Sequence, residues 1–247
     1  MRIFNESIGH YINWMDKGQP FAFAGFSDAE WYCILKEKIG QKTGLGQILD
    51  AAHGELLADV IRRRQKDPWF LFAVPKVLWT LPGFAEGQID WWLGNQNIKI
   101  DGYERDDVTD TLAAQAKLFH FINQLSNQAN LTLIGNEDLV GMFKYLPLRR
   151  FIGVESPNLH LNPKGINAAV AAAVQPRRPG TFLISAGVSA AVIIDRLYDL
   201  LPGSWFFDCG SMWDAFVKIG AQREWRAALY ADPKKWEAWV RRNLTGR

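Results

Sequence analysis

The second half of the chain alternates short apolar runs with longer amphipathic segments. The runs LTLIG, RFIGVE, TFLISA and WFFD predict strands, and the segments NEDLVGMFKYL, NPKGINAAVAAAV and GVSAAVIIDRLYDLL between them have helical spacing. Short apolar strands that alternate with helices are typical of βαβ units, in which helices cover both faces of a parallel sheet.

The first half of the chain predicts similar elements in a less regular order. Helical spacing over FNESIGHYINWMDKG ends at Gly18, the apolar run 21–26 predicts a strand, and a helix is expected from Asp28. Two long helices are predicted over GQILDAAHGELLADVIRRRQ and DDVTDTLAAQAKLFHFINQLSNQ, and the run WFLFAVP predicts a buried strand. Residues 76–101, rich in Trp and Gly, have no clear periodicity, and an acceptor groove, a dimer surface and core packing all remain open for them.

The tail REWRAALYADPKKWEAWVRRNL predicts two short helices separated near Pro233. The sequence has no internal repeat, no low-complexity segment and no linker rich in Gly, Ser or Pro. We therefore predict an α/β fold with a single Rossmann-like domain over residues 1–247. Its core, a mostly parallel sheet with helices on both faces, should span about residues 20–215, and a helical tail about residues 216–247.

Composition indicates the compartment in which the protein is expected. Apolar residues make up 48% of the chain, enough for a sizeable core, and the net charge of +2 favours no class of partner. The two cysteines, Cys33 and Cys209, lie far apart in a chain without a disulfide framework, which indicates a reducing compartment. The longest apolar segment, residues 182–194, is shorter than the roughly 20 residues that span a bilayer. We expect a cytoplasmic protein without a membrane span or signal peptide.

Polar and small residues follow most of the predicted strands. In an open parallel sheet these positions meet at one edge, where ligands bind. They are Ser27, Asp28 and Glu30; Gly135, Asn136 and Glu137; Glu155, Ser156, Pro157 and Asn158; Ser185, Gly187 and Ser189; and Asp208, Gly210, Ser211 and Asp214. Acids, hydroxyls and glycine turns together are the mixture expected around a phosphorylated ligand and its metal.

Each of these motifs also has a purely structural interpretation. Ser27-Asp28-Ala29-Glu30 matches the capping box, in which the Ser hydroxyl and the Glu carboxylate satisfy free amides at a helix start. SAGVSAAV suits a phosphate at a helix terminus but lacks the spacing of a dinucleotide or Walker loop, so an ordinary strand-to-helix turn is equally compatible. The four histidines do not form a zinc pattern, and no Gly-x-Ser-x-Gly elbow of a serine hydrolase is present.

The ordered set of motifs resembles the GT-D type glycosyltransferases. That family has a strand running into an Asp-x-Glu motif, here GFSDAE, in which the aromatic residue and both acids match while the Arg and both Gly of the family motif are replaced. LIGNEDL, ESPN and ISAGVSAAVIIDRL follow in the expected order. FFDCGSMWD supplies the closing Asp-x-Gly, with Ser211 where a His is common. The resemblance covers about residues 21–214.

The resemblance implies a metal-dependent transfer of a sugar from a nucleotide-diphosphate sugar, such as a UDP-sugar, to a hydroxyl acceptor. It places Mn²⁺ or Mg²⁺ on Asp28 and Glu30, and carboxylate oxygens are the ligands that such ions prefer. Donor-binding positions under it are Phe26, Ser27, Asp28, Gly135, Asn136, Pro157, Asn158, Ser185, Gly187 and Ser189. Asp208, Asp214 and Glu155 are the candidates for a catalytic base on the same edge.

The sequence leaves three interpretations of the function open. The acceptor is a glycan or glycoprotein in the first, and a hydroxylated base of phage DNA in the second, which the arginine clusters and 11 tryptophans would suit. In the third, the chain is a non-catalytic nucleotide-binding module whose acids only cap helices.

Overall fold

The computed structural model describes residues 8–43, 46–74, 87–100, 104–105, 108–155, 157–175, 177–220 and 223–247. Seven strands form one sheet in which every pairing is parallel. In chain order these are β1 (Phe21–Gly25), β2 (Phe70–Val74), β3 (Glu104–Arg105), β4 (Leu131–Asn136), β5 (Arg150–Val154), β6 (Thr181–Ser185) and β7 (Trp205–Asp208). Their order across the sheet is β3-β2-β1-β7-β6-β4-β5, which confirms the predicted α/β class.

Helices connect the strands and continue into the tail. They are α1 (Ile8–Asp16), α2 (Asp28–Ile34), α3 (Ala51–Arg64), α4 (Gln88–Asn95), α5 (Val108–Ala114), α6 (Phe119–Ser126), α7 (Pro163–Val174), α8 (Ala190–Leu200), α9 (Glu224–Tyr230) and α10 (Pro233–Thr245). Short 3-10 helices follow four of the strands, directly or after a short loop, at Glu137–Lys144, Leu159–Leu161, Gly187–Ser189 and Asp214–Phe216. None of the described helices has both the length and the apolar composition needed to cross a membrane.

Buried apolar side chains form two clusters that include residues from alternate positions of the strands. One contains Ala22, Phe72 and Ile184 together with α2, α3, α7 and α8, and the other contains Phe23, Leu133 and Phe207 together with α1 and α6. Because neighbouring residues of a strand point to opposite faces, this division is what a sheet covered on both sides requires. Cys33 and Cys209 are buried free thiols within the clusters.

The structure divides one predicted helix and shortens another. The segment 106–128, predicted as one helix, contains α5 and α6, and Ala116 between them has a φ of 52°. There the amide of Leu118 donates to Asn243 Oδ1 on α10 at 2.9 Å, a contact with the tail that local periodicity does not contain. The helix predicted over 46–65 begins only at Ala51, because Asp50 caps it by accepting from His53 N at 2.7 Å. Of the segment 76–101, residues 76–86 and 101 lie outside the described part of the chain, and so does the predicted site position Ser156.

The tail packs on the second of the two clusters. Trp239 and Val240 of α10 are buried in it, and Trp239 Nε1 donates to the Ala113 carbonyl at 2.7 Å. α9 and α10 are separated at Pro233, the first residue of α10, as the sequence predicts. The proposed extent of a single domain and the boundary near residue 215 remain predictions.

Candidate active site

The carboxyl ends of β1 and β7 are the centre of the candidate site. From β1 the chain builds outward through β2 to β3, and it then crosses to the other half of the sheet and returns through β6 to β7 beside β1. The strand order therefore reverses between β1 and β7, and ligands of open parallel sheets bind at such a point. The Asp-x-Glu motif follows β1, and Asp208 ends β7.

Asp208 is held against the end of β1 by two backbone amides. Its Oδ2 accepts from Gly25 N at 3.2 Å and its Oδ1 from Gly210 N at 2.9 Å. A Cβ at Gly25 would lie 2.7 Å from Oδ2, so only glycine admits the carboxylate at this position. Burial raises the pKa of Asp208 to about 6, although the two amide hydrogen bonds favour the ionised form. The acid therefore titrates near neutrality, as a proton-transferring group should.

The Asp-x-Glu motif forms the capping box of α2 and also presents one exposed carboxylate. Ser27 N donates to Glu30 Oε2 at 2.9 Å, and Glu30 is only 7% exposed. Asp28, the first residue of α2, is exposed. The two acids thus differ in role, since Glu30 closes the helix start while Asp28 faces solvent at the end of β1.

Phe26 lies in the core rather than at the surface of the site. It is 1% exposed and its ring packs against Phe72 and Trp31, with centroid separations of 5.6 Å and 6.4 Å. Any contact between Phe26 and a donor is therefore confined to its backbone.

Asp214 forms an ion pair in the loop after β7. Its Oδ2 lies 2.8 Å from Nη1 of Arg226, which is 1% exposed and comes from α9 in the tail. Nη2 of the same guanidinium donates to the Ser211 carbonyl and hydroxyl oxygens at 2.6 Å and 2.8 Å. Asp214 thus contributes to holding this loop, and Arg226, which the sequence analysis did not single out, is the residue that braces it.

Glu155 lies far from the centre of the site. It follows β5, the edge strand, and β4, β6 and β7 stand between β5 and β1. Four steps of about 4.8 Å each place the ends of β1 and β5 roughly 19 Å apart. Glu155 is exposed, with Oε2 at 3.4 Å from Asn162 Nδ2. Of the three acids proposed as the base, Asp208 is the one that contacts β1.

The turn after β4 is shaped by close packing and a cap. Gly135 packs against Ser185 of the neighbouring strand, where a Cβ would lie 3.1 Å from the Ser185 carbonyl oxygen. Asn136 caps the following 3-10 helix by accepting from Asp138 N at 3.2 Å. Both residues therefore have structural roles, and their roles in donor binding remain predictions.

The turn after β6 carries two buried hydroxyls. Ser185 and Ser189 are 8% and 0% exposed, and their Oγ atoms have no hydrogen-bond partner among the described residues. Gly187 has a φ of 55°, and a Cβ there would lie 2.3 Å from Nε2 of Gln47. Gln47, a residue that the sequence analysis took as the beginning of a helix, therefore covers this turn.

The loop after β5 is fastened to the same segment as Gln47. Asn158 Oδ1 accepts from Ile48 N at 2.9 Å, and Pro157 lies next to Gly46, where a Cβ would be 3.8 Å from Pro157 Cγ. The loops after β5 and β6 and the segment 46–50 thus meet, as the convergence of strand ends predicts for the loops alone. The Asp50 cap was the sequence signal that would have separated this segment from α3.

One carboxylate at the end of β1 is free to approach a hard divalent cation. Asp28 offers an exposed carboxylate, whereas Glu30 Oε2 already accepts from Ser27 N. Among the described residues, no group of three or more His, Cys, Asp or Glu side chains is placed to hold a metal ion. Mg²⁺ in proteins is commonly bound by one or two carboxylates, water and substrate phosphates, and the residues present fit that kind of site.

Three of the four arginine clusters lie away from this edge, and the fourth, Arg241 and Arg242, is in α10 of the tail. Arg149 and Arg150 open β5, Arg177 and Arg178 precede β6, and residues 62–64 end α3 before β2. All three groups are therefore at the amino edge of the sheet, opposite the candidate site. Within residues 62–64 the guanidinium groups also pair with acids, Arg62 with Asp59, and Arg63 and Arg64 with Asp195.

Comparison with known proteins identifies the fold. No family model matches the chain, and neither does any curated protein sequence. A selenomethionine-substituted structure of domain of unknown function 1792 (DUF1792) has a TM-score of 0.59 at 11% identity and covers 94% of this chain and 82% of its own. A structure described as showing that this domain has a distinct glycosyltransferase fold has a TM-score of 0.57 at 10% identity, with the same coverage.

A third structure, described as a new glycosyltransferase (DUF1792) from Streptococcus sanguinis, has a TM-score of 0.54 at 15% identity and covers 86% of this chain and 82% of its own. At these identities the likeness establishes the fold. The resemblance to GT-D glycosyltransferases inferred from the motifs is thus confirmed at the level of the fold.

Proposed function

We propose that this chain is a glycosyltransferase that moves a sugar from a nucleotide-diphosphate sugar to a hydroxyl acceptor. The observation that carries the proposal is Asp208, a carboxyl group with a pKa raised to about 6, packed on the end of β1 beside the Asp-x-Glu motif. The glycosyltransferases with which the chain shares its fold support the same reaction class.

Asp208 is the proposed general base. Above about pH 6 its carboxylate is ionised and accepts the proton of the acceptor hydroxyl as that oxygen attacks the sugar. The amides of Gly25 and Gly210 fix the orientation of the carboxylate before the reaction begins. Both amides come from the backbone, so no second side chain has to be ordered to align Asp208.

Asp28 is the proposed metal ligand, with Glu30 holding the helix start that presents it. A bound Mn²⁺ or Mg²⁺ would neutralise the charge that develops on the departing nucleoside diphosphate. The amino end of α8, with the hydroxyls of Ser185 and Ser189 buried beside it, is the proposed place for diphosphate oxygens.

A glycan or glycoprotein is the proposed acceptor. Phosphate contacts provide much of the affinity of DNA-binding proteins, and here three of the four arginine clusters lie at the opposite edge of the sheet. A DNA strand held by these arginines would lie at the edge opposite Asp208. Steep loss of binding to a DNA column with added salt, together with transfer to a hydroxylated base, would contradict this choice.

The decisive experiment compares Asp28→Asn with wild type in transfer and hydrolysis of UDP-sugars with Mn²⁺. The substitution keeps the shape of the side chain and removes its charge. We expect metal-dependent turnover to fall by about 100-fold or more, since metal-assisted charge stabilisation contributes several kcal/mol. The melting temperature should stay within a few degrees of wild type.

Two further variants make the result interpretable. Asp16→Asn, at an exposed residue at the end of α1, is the matched control and should turn over like wild type. Glu30→Gln tests whether the second acid is needed. Gln is also a capping-box residue, so the variant should avoid the loss of about 1 kcal/mol of stability expected when a cap is removed. Unchanged turnover in Asp28→Asn would contradict the proposed metal ligand, whereas nucleotide binding with no turnover in wild type would indicate a non-catalytic nucleotide-binding module.

A further inference from the structure

Residues 46–50, called the strap below, cross the loops that follow β5 and β6. Gln47 is 8% exposed, and its Nε2 fills the space directly above the Cα of Gly187. Because Gly187 begins the turn that leads into α8, the carboxamide stands where a ligand of that turn would approach. Any donor that binds there has to contact Gln47 or displace it.

The strap is fastened through both polar backbone groups of Ile48. Its amide donates to Asn158 Oδ1 at 2.9 Å, and its carbonyl accepts from His160 Nε2 at 2.5 Å. Both partners belong to the loop after β5, so the position of Gln47 depends on that loop.

A second histidine fastens the turn after β6. His53 of α3 is 1% exposed, and its Nε2 lies 2.8 Å from the Val188 carbonyl. A carbonyl only accepts, so the hydrogen-bond pattern assigns the proton to Nε2 in both rings and leaves a lone pair on Nδ1. Both Nδ1 atoms are buried and have no partner among the described residues, and the ring centroids are 5.3 Å apart.

This arrangement disfavours a second proton on His53. Burial lowers the pKa of His53 to about 4, and the neighbouring His160 and Arg196 act in the same direction. The Val188 carbonyl and Asp50, the cap of α3, oppose the shift without overcoming it. A proton on Nδ1 would find no acceptor and would face the second imidazole.

We propose that Gln47 is a donor-contacting residue and that His53 and His160 are positioning residues, which hold the strap and the turn after β6 together only while the His53 ring is neutral. We call His53 and His160, with their hydrogen bonds to the Val188 and Ile48 carbonyls, the histidine clasp. The role of Gln47 rests on the proposed function, whereas the histidine clasp does not. Acid should therefore release the strap and weaken donor binding together.

The clasp is tested without any ligand by hydrogen exchange of the full chain. Gln in place of His keeps an Nε2–H donor at nearly the same reach and cannot titrate, so His53→Gln/His160→Gln is the informative variant. We expect protection factors of the strap amides, corrected for intrinsic exchange, to fall about tenfold or more between about pH 7.5 and about pH 4.5 in wild type, since one pKa unit corresponds to a factor of ten. The fall should disappear in the double variant.

His120→Gln, on the outer side of α6, is the control and should behave like wild type. Equal protection of the strap in wild type at both pH values, or an equal fall in the double variant, overturns the clasp. If the double variant does not fold, His53→Gln alone is compared with wild type and should reduce the fall.

The role of Gln47 is tested by calorimetric titration with UDP and Mn²⁺ at about pH 7.5. We expect Gln47→Ala to weaken UDP binding about tenfold, the loss typical of one hydrogen bond to a charged group, and Gln41→Ala, at an exposed residue before the strap, to bind like wild type. Wild-type affinity in Gln47→Ala overturns the contact. Absence of UDP binding in wild type overturns the donor-contact part, and the proposed function for UDP-sugar donors with it, while the exchange result stands independently.

Discussion

Asp208 illustrates how the fold alters the chemistry of a single residue. In the unfolded chain its carboxyl has an ordinary pKa of 3.8, and burial beside Gly25 raises that value to about 6. The folded protein therefore binds this proton more tightly than the unfolded chain. The stability that Asp208 contributes is full below pH 3.8 and is lost as the pH rises through about 6.

Asp208→Asn tests the catalytic assignment and the sign of this linkage together. We expect transfer to fall by about 100-fold or more, because a positioned general base contributes about 10²–10⁴. In wild type kcat/KM should rise with pH through about 6 and then level, and the rise should be absent from the residual activity of the variant. Asn keeps one acceptor oxygen for the amides of Gly25 and Gly210 and cannot titrate, so melting curves of Asp208→Asn should lose the change in stability that wild type shows as the pH rises through about 6. A folded variant with wild-type kinetics contradicts the assignment.

At the scale of elements, the crossing of α2 and α3 positions the Asp-x-Glu motif. Gly54 lets the two helices approach so closely that a Cβ there would lie 2.0 Å from the Cys33 carbonyl oxygen. α2 is a short helix of 7 residues, so this contact, rather than intrinsic helical stability, holds Asp28 and Glu30 in place.

Gly54→Ala should accordingly destabilise the protein by about 1–3 kcal/mol or more, because the helices must separate to admit the methyl group. Gly94→Ala, in α4, is the matched control, since a Cβ there meets nothing within 4 Å. It should be neutral or stabilise by about 0.4–1 kcal/mol through a less flexible unfolded chain. Urea melts measure both, and a neutral Gly54→Ala would show that the crossing does not set the position of α2.

At the scale of the whole molecule, the tail and the site form one structure. Arg226 reaches from α9 to Asp214 and Ser211, so the loop that follows Asp208 is braced by residues outside the sheet. The ion pair is largely withdrawn from water, because Arg226 is 1% exposed and the Asp214 side chain 18%.

Arg226→Met should cost about 3–5 kcal/mol, the range for removing one partner of a buried ion pair. The exposed Arg241→Met on α10 is the control and should change stability by less than about 0.5 kcal/mol. If Arg226→Met folds, its transfer activity should fall as well, since the loop after Asp208 loses its brace. A stable and fully active Arg226→Met would show that the tail is independent of the site.

Much of the fold was predictable because its signals are local. Apolar runs located the six longer strands, and the strand-end rule selected Asp28, Gly187 and Asp208 as residues of one edge. Two features were not predicted, because each joins residues that are distant in the sequence. Arg226 braces a loop 12 positions away in sequence from its partner Asp214, and the two histidines of the clasp are 107 positions apart, with ring centroids 5.3 Å from each other.

The sequence by itself determined the α/β class, most of the elements and the set of residues that end the longer strands, because hydrophobic periodicity and helix caps act between near neighbours in the chain. Only the tertiary structure decided the strand order, and with it that Asp208 rather than Glu155 adjoins the Asp-x-Glu motif. It also decided that Glu30 is buried in a cap while Asp28 is exposed. Burial and long-range packing set those roles, and neither is recorded in local sequence.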